Sequence, residues 1–254
     1  MNTAIITGAS SGMGREFVKM TAARGDIQEI WVIARREERL RQLEQEVSVP
    51  LHILPLDLLK PESFERFQAE LEARRPRVTF LVNASGFGRF GSNEQIPLQD
   101  DLDMIDLNCK AMVNITKRTL PFMPEGSRIL QVDSLSAFQP VPYLGIYAAS
   151  KAFVLSYARS LNAELQQRGI RVTAFCPGWV KTDFFVGAER TSKDAVTYFN
   201  KLFTAREVVA AAMRASQKGR EVCVPGWSIR LQVLATKLLP HSLVMKIWMK
   251  QQKH

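Results

Sequence analysis

Apolar residues along this chain gather in short runs separated by segments with helical spacing. The runs Thr3–Thr7, Glu29–Ala34, Leu51–Leu56, Val78–Asn83, Arg128–Asp133, Arg171–Phe175 and Glu221–Val224 are rich in Ile, Val and Leu, without clean polar alternation. That is the pattern of strands covered on both faces. Between them, apolar positions recur three and four residues apart. This spacing predicts helices over Gly14–Arg24, stopped by Gly25, and over Glu37–Glu46, with Leu40 and Leu43 facing inward. It also predicts a helix over Glu62–Arg74, which follows Pro61 and carries Phe64, Phe67 and Leu71. The longest predicted helices are Leu98–Leu120 and Ile146–Arg168, the second ended by Gly169. Repeated strand–helix–strand units predict an α/β, doubly wound architecture: a seven-stranded parallel sheet with right-handed crossovers and helices on both faces.

The stretch Trp227–Met249 is apolar but interrupted by Arg230, Lys237, Pro240 and Lys246. A membrane span needs roughly 20 apolar residues with few charges, so this stretch is not expected to cross a bilayer. Its pattern fits an ordinary core or interface helix, a lid over an apolar site, an oligomer contact, or an amphipathic segment lying on a membrane surface.

With 254 residues, 46% hydrophobic and 23% charged, the chain can bury a large core without disulfide or metal staples. Cys109, Cys176 and Cys223 are odd in number and far apart, with no CxxC pair. They fit a reducing, cytoplasmic compartment. His52, His241 and His254 are scattered as well, so no metal site is expected. The chain opens directly into an apolar strand and a glycine loop, which predicts no secretory signal. The net charge of +9 is uneven. Residues 1–186 are nearly balanced, with 22 basic and 21 acidic side chains, whereas residues 187–254 hold 12 and 4. No acid follows Glu221, while Arg230, Lys237, Lys246, Lys250 and Lys253 remain. The asymmetry fits either an anionic partner or a solvated basic face. No nucleic-acid-binding motif accompanies it, so nucleic acid is not an expected partner.

The first strand runs into Thr7-Gly8-Ala9-Ser10-Ser11-Gly12-Met13-Gly14 and then a helix. Gly8 can turn the chain off the strand, Gly12 lets backbone approach a phosphate, and Gly14 lets the helix pack closely on the sheet. The helix N-terminus offers free N–H groups and a positive dipole end to a pyrophosphate. A Rossmann-type dinucleotide site is therefore expected, with Gly8, Ser10, Ser11, Gly12, Met13 and Gly14 against the cofactor. The second strand ends Ala34-Arg35-Arg36, with no carboxylate to bind the ribose hydroxyls. Arginine suits a 2′-phosphate. NADP(H) is expected over NAD(H), with Arg35 the first candidate and Arg36 beside it. The plain alternative is that both arginines merely begin a charged helix with Glu37 and Glu38.

Tyr147-Ala148-Ala149-Ser150-Lys151 opens a long helix, and a spacing of four puts Tyr147 and Lys151 on one face. A free phenol ionises near pH 10. A neighbouring ammonium lowers that value, and bringing it near neutrality takes about 4 kcal/mol of differential stabilisation. Lys151 and a cationic nicotinamide are the expected sources. Such a tyrosine can protonate a carbonyl oxygen or deprotonate an alcohol. Ser134, thirteen residues earlier at a strand end, is placed to polarise the same oxygen, with Ser136 as a competing choice.

These motifs together resemble the short-chain dehydrogenase/reductase family over about residues 3–182. Thr7–Gly14 is similar to its TGxxxGxG loop, and Asn83-Ala84-Ser85-Gly86 to its NNAG motif, with Ala84 replacing the second amide. Asn108, Ser134, Tyr147 and Lys151 resemble its catalytic tetrad. Pro177-Gly178-Trp179-Val180-Lys181-Thr182 resembles the segment that holds the nicotinamide carboxamide, and Asp57-Leu58 the pair that touches adenine. The resemblance implies that Tyr147 is the general acid/base, that Lys151 also holds the nicotinamide ribose, and that Ser134 orients the carbonyl. It implies that Asn108 holds a relay water, and that Asn83, Ala84, Ser85, Pro177, Gly178, Val180 and Thr182 surround the cofactor. It further implies one NAD(P)-binding domain over 1–254, with a substrate lid over 183–205 and a helical extension over 227–254. A homodimer or homotetramer through 98–120 and 146–168 is implied too.

The resemblance places substrate loops at Gly86–Asn93, Ser136–Leu144 and Thr182–Phe203. Phe87, Phe90, Phe138, Tyr143, Trp179, Phe184, Phe185, Tyr198 and Phe199 lie in or beside them. Such aromatic density suggests a hydrophobic ketone or alcohol. With the basic C-terminal third, an anionic group on the substrate is expected: a hydroxysteroid, bile acid or lipid-like ketone. The alternatives are a 3-oxoacyl thioester, or a regulator that binds NADP without catalysis. Peripheral membrane contact through 227–254 is a further expectation.

Overall fold

The computed structural model describes residues 1–199 and 201–252. Asn200 of the expected lid, and Lys253 and His254 of the expected extension, lie outside the described residues. In chain order the elements begin β1 (Asn2–Thr7), α1 (Gly12–Ala22), β2 (Glu29–Ala34), α2 (Glu37–Glu44), β3 (Leu51–Pro55), α3 (Pro61–Arg74) and β4 (Arg77–Asn83). Next come α4 (Leu98–Ile105), a π-helical stretch Asp106–Ala111 and α5 (Met112–Thr119), which together form one helical run. Then follow β5 (Arg128–Val132), α6 (Gly145–Leu165), β6 (Arg171–Phe175), β7 (Trp179–Lys181) and α7 (Phe184–Ala188). The last elements are β8 (Leu202–Thr204), α8 (Ala205–Gln217), β9 (Val222–Cys223), α9 (Trp227–Leu238) and α10 (His241–Gln251).

Seven strands form one sheet in the order β3-β2-β1-β4-β5-β6-β9. Every pairing in it is parallel. Consecutive residues serve opposite faces. Ala4 and Ile6 pack with Phe17, Leu40, Val208 and Ala212 on the face of α1, α2 and α8. Ile5, Trp31 and Ile33 pack with Phe67, Leu71, Ile115 and Leu161 on the face of α3, α5 and α6. This two-sided burial explains why the strands read as apolar runs rather than alternations. The strand order reverses between β1 and β4, and ligands of such sheets bind beyond the carboxyl ends at that point.

Several local features depart from the sequence-based expectation. Helix α8 was not among the expected helices, although Thr204 and Glu207 form a reciprocal capping box at its start. The paired strands β7 and β8 make a small second sheet. The stretch Trp227–Met249 is two helices, because Pro240 stops one and begins the next. The run Leu98–Leu120 is helical throughout but takes π geometry around Asn108.

Candidate active site

The glycine loop leaves β1 with Gly8 at φ +68, where a side chain would be strained and its Cβ would stand 2.7 Å from the Ala84 carbonyl oxygen. A Cβ on Gly14 would collide with the Gly8 carbonyl. The loop is thus folded tightly enough that only hydrogen fits at both places. Helix α1 starts at Gly12, and Ser11, at its N-cap, does not cap it with its own side chain. Instead the Ser11 hydroxyl accepts a bond from Arg36 Nη2 at 3.0 Å, and Ser10 accepts one from the same nitrogen at 3.3 Å. The first N–H groups of α1 are left for an anion. Across the crevice, Thr182 Cβ stands 3.3 Å from where a Gly12 Cβ would lie. This cradle of backbone, helix terminus and guanidinium fits a dinucleotide phosphate.

Of the two arginines after β2, it is Arg36 rather than the favoured Arg35 that reaches the loop hydroxyls. Arg35 is exposed. Burial, with Arg39 and Arg35 nearby, lowers the Arg36 pKa, while Asp183 opposes the shift. Arg39 Nη1 meets Asp183 Oδ2 at 3.1 Å, joining α2 to the segment before α7. At the end of β3, Asp57 Oδ1 accepts from the Leu59 amide. The Leu58 side chain is buried in the core beneath the sheet. Its backbone is the part left to approach an adenine.

At the end of β4, Asn83 Nδ2 donates to Thr116 Oγ1 at 3.0 Å, tying the strand to α5. The amides of Ala84 and Ser85 donate to Thr7 Oγ1 at 3.0 and 3.1 Å. Asn108 then clamps the next turn. Its Nδ2 donates to the Phe87 carbonyl and to Ser150 Oγ, and its Oδ1 accepts from the Phe87 amide, all at 3.0 Å. Both N–H donors are used, which leaves Oδ1 as the side-chain atom for the implied relay water.

Ser134, Tyr147 and Lys151 converge. The Tyr147 phenol and the Ser134 side chain adjoin on the wall of one pocket. Ser134 also accepts from the Ser136 amide, so Ser136 completes a turn while Ser134 faces the tyrosine. Lys151 Nζ donates to the Val132 carbonyl at 2.9 Å and lies 5.7 Å from the Tyr147 ring centre. Tyr147 does not have the lowered pKa expected from its lysine neighbour. Burial pushes the phenol above its ordinary value, the Ser134 side chain opposes, and Asp133 adds to the rise. Desolvation is the largest cause of the rise.

Asp133 adds a smaller contribution to that rise, and its position at a strand end gives no sign of its burial. It is 2% exposed and stands directly before Ser134. Its Oδ2 accepts from Cys176 Sγ at 3.4 Å, and Oδ1 is buried without a hydrogen-bond partner. Burial pushes its pKa up to about 7, against the pull of Lys151. Lys151, in turn, is lowered by burial while Asp133 raises it.

Beyond these groups lies a pocket that extends from Met13 past Ser134 and Tyr147 to α10. Pro177, Gly178 and Val180 line one side, with Trp179, Phe184, Phe185 and Tyr198. Phe90 is fully buried behind them, edge-on to Trp179, Phe184 and Phe185. Phe199 packs edge-on against Trp179 at 4.9 Å. Phe87 instead lies under Arg89, and Phe138 under Lys237. Three further lining residues, Gln232, Trp248 and Gln251, come from α9 and α10. Trp248 Nε1 donates to the Pro142 carbonyl at 3.0 Å, and Gln252 Oε1 accepts from the amides of Thr197 and Tyr198. An isolated Trp and two Gln in an apolar segment carry no spacing signal that marks them as site residues.

The comparisons agree with this geometry. The sequence model of the short chain dehydrogenases matches residues 2–193. Sulfoacetaldehyde reductase 2 of Chromohalobacter salexigens is 35% identical over 201 residues, which cover 76% of this chain and 79% of that protein. The very-long-chain 3-oxoacyl-CoA reductase of Anas platyrhynchos is 31% identical, covering 98% of this chain and 80% of that protein. A short-chain dehydrogenase from Sphingobium yanoikuyae, solved in complex with NADPH, superposes with a TM-score of 0.79 at 26% identity, over 94% of each chain. The chain belongs to the short-chain dehydrogenase/reductase family of oxidoreductases.

Proposed function

We propose that this chain is an NADP(H)-dependent oxidoreductase that interconverts a ketone and a secondary alcohol on a hydrophobic substrate bearing an anionic group. The observation that carries the reading is the Ser134–Tyr147–Lys151 constellation, set between the glycine loop and an aromatic pocket. When bound, the reduced dinucleotide supplies a hydride to the carbonyl carbon. Tyr147 hands its phenolic proton to the carbonyl oxygen, leaving a phenolate beside Lys151. The Ser134 hydroxyl donates a hydrogen bond to the same oxygen and polarises it. Asn108 holds the turn at Phe87 that shapes this crevice.

Arg36, with Arg35 and Arg39 near it and no acid at the end of β2, supports a 2′-phosphorylated cofactor. The neighbour solved with NADPH supports the same choice. The aromatic walls support a bulky apolar substrate. The basic C-terminal third and two relatives named for sulfoacetaldehyde and 3-oxoacyl-CoA support an anionic one. A 3-oxoacyl thioester is the second reading, favoured by the latter relative. The segment from α7 through Tyr198 serves as the lid. Exposed Leu98, Leu102, Ile105 and Phe153 on α4 and α6 support a homodimer through that face. Three free, buried cysteines suit a reducing cytoplasm.

A panel of steroid, acyl and sugar carbonyls with NADPH tests the reading. Tyr147→Phe should lower turnover of a bulky ketone by about 10²–10⁴-fold while NADPH binding, read by fluorescence, persists. NADPH binding by the wild type with no turnover of any carbonyl would leave only the regulator reading. Turnover confined to small sugars would defeat the hydrophobic one.

A further inference from the structure

Helices α9 and α10 each have two faces. Inward, Ile229, Val233, Val244 and Trp248 are buried. Outward, α9 carries Trp227, Leu231, Leu234 and Leu238, which are 75, 56, 53 and 74% exposed. Their spacing puts all four in one narrow stripe along the helix. On α10, Leu243 and Ile247 are one turn apart and 43 and 44% exposed. A run of large aliphatic side chains left in water in this way marks a surface that meets something.

The charge around the stripe narrows what that is. Arg230, Lys237, Lys246 and Lys250 are exposed on the same two helices, and no Asp or Glu follows Glu221 in the chain. Two copies brought together on this face would oppose cations with no acid from either helix to pair them. No helix among the described residues is long and apolar enough to cross a membrane. A Leu stripe with a tryptophan at one end and cations beside it is the composition of a helix lying in a lipid interface. There, apolar side chains enter the acyl boundary and ammonium groups meet anionic headgroups. We propose that α9 and α10 dock this chain on an anionic lipid surface. The proposal is independent of the reaction. It would also bring the pocket edge formed by Gln232 and Trp248 close to that surface.

The test is sedimentation of the full chain with vesicles of phosphatidylcholine, alone or with phosphatidylglycerol. The wild type should pellet at least about tenfold more with the anionic vesicles. The double variant Leu231→Asp, Leu234→Asp should lose that binding by at least about tenfold, with its thermal midpoint and elution volume unchanged. Lys246→Glu with Lys250→Glu should lose it as well, which keeps the test open should the aspartate variant misfold. The proposal is overturned by a wild type that ignores anionic vesicles or by a stripe variant that binds like wild type. It is equally overturned by a stripe variant that elutes as a smaller species, since the face would then join copies of the chain.

Discussion

The two sides of the crevice are built from different materials. On the dinucleotide side, the shape comes from backbone: Gly8 at φ +68, the close approach of Gly14 to Gly8, and main-chain amides of Ala84 and Ser85 held by Thr7. On the substrate side, it comes from side chains that meet from distant segments: Phe90, Trp179, Phe185 and Trp248. Backbone shape tolerates almost no substitution, because an added Cβ has nowhere to go. An apolar wall tolerates swaps that conserve volume. The first side can therefore be a family constant while the second sets the individual substrate.

The sharpest way to break this contrast is a single methyl group. Gly14→Ala should cost at least about 4 kcal/mol of stability or abolish NADPH binding, as read by urea titration and cofactor fluorescence. A tolerated alanine would mean the loop is not set by backbone contact. Asp133→Asn comes next. Folded Asp133 keeps its proton up to about 7, whereas an unfolded one releases it near 3.8, so the wild type binds the extra proton in its native state. Its stability should fall as pH rises through that window, by up to about 4 kcal/mol, and the Asn variant should lack the fall. Lys151, lowered by burial, gives a slope of the opposite sign below its unfolded value of 10.5. Identical unfolding midpoints for both proteins from acid to neutral pH would refute the assignment. On the substrate side, Phe185→Ala should weaken kcat/KM for a bulky ketone by about 2 kcal/mol and leave NADPH affinity alone. A matching loss in NADPH affinity would erase the division between the two sides. Smallest is Arg36→Ala, which should reduce the NADPH-over-NADH preference about tenfold, measured by the two Michaelis constants. If Arg35→Ala has that effect instead, the bond from Arg36 to Ser10 and Ser11 is not the discriminating one.

The same contrast explains what the sequence made legible. The sheet could be read because strands buried on both faces are plain apolar runs, and the loop because glycines at fixed spacing answer to fixed backbone geometry. Tyr147 and Lys151 were legible because one helical turn puts them together. Asp133 was not, since a strand-end acid looks solvated until β6 and α6 are seen to cover it. Arg36 outreaches Arg35 because Arg36 sits at the N-cap of α2, a turn whose direction no spacing rule supplies. The α8 helix was legible in principle, through Thr204 and Glu207. The π-helical stretch around Asn108 was not, because helical spacing alone does not mark where the turn widens, although Asn108 there clamps Phe87 and Ser150.

The anchoring of Gln252 to Thr197 and Tyr198 has a bearing on biosynthesis. A ribosome delivers the glycine loop long before the residues that fasten the pocket. The nascent polypeptide thus completes its glycine loop well before it can close the aromatic pocket. A substitution at Gln252 would be felt at the pocket, about 240 residues along the chain from the glycine loop.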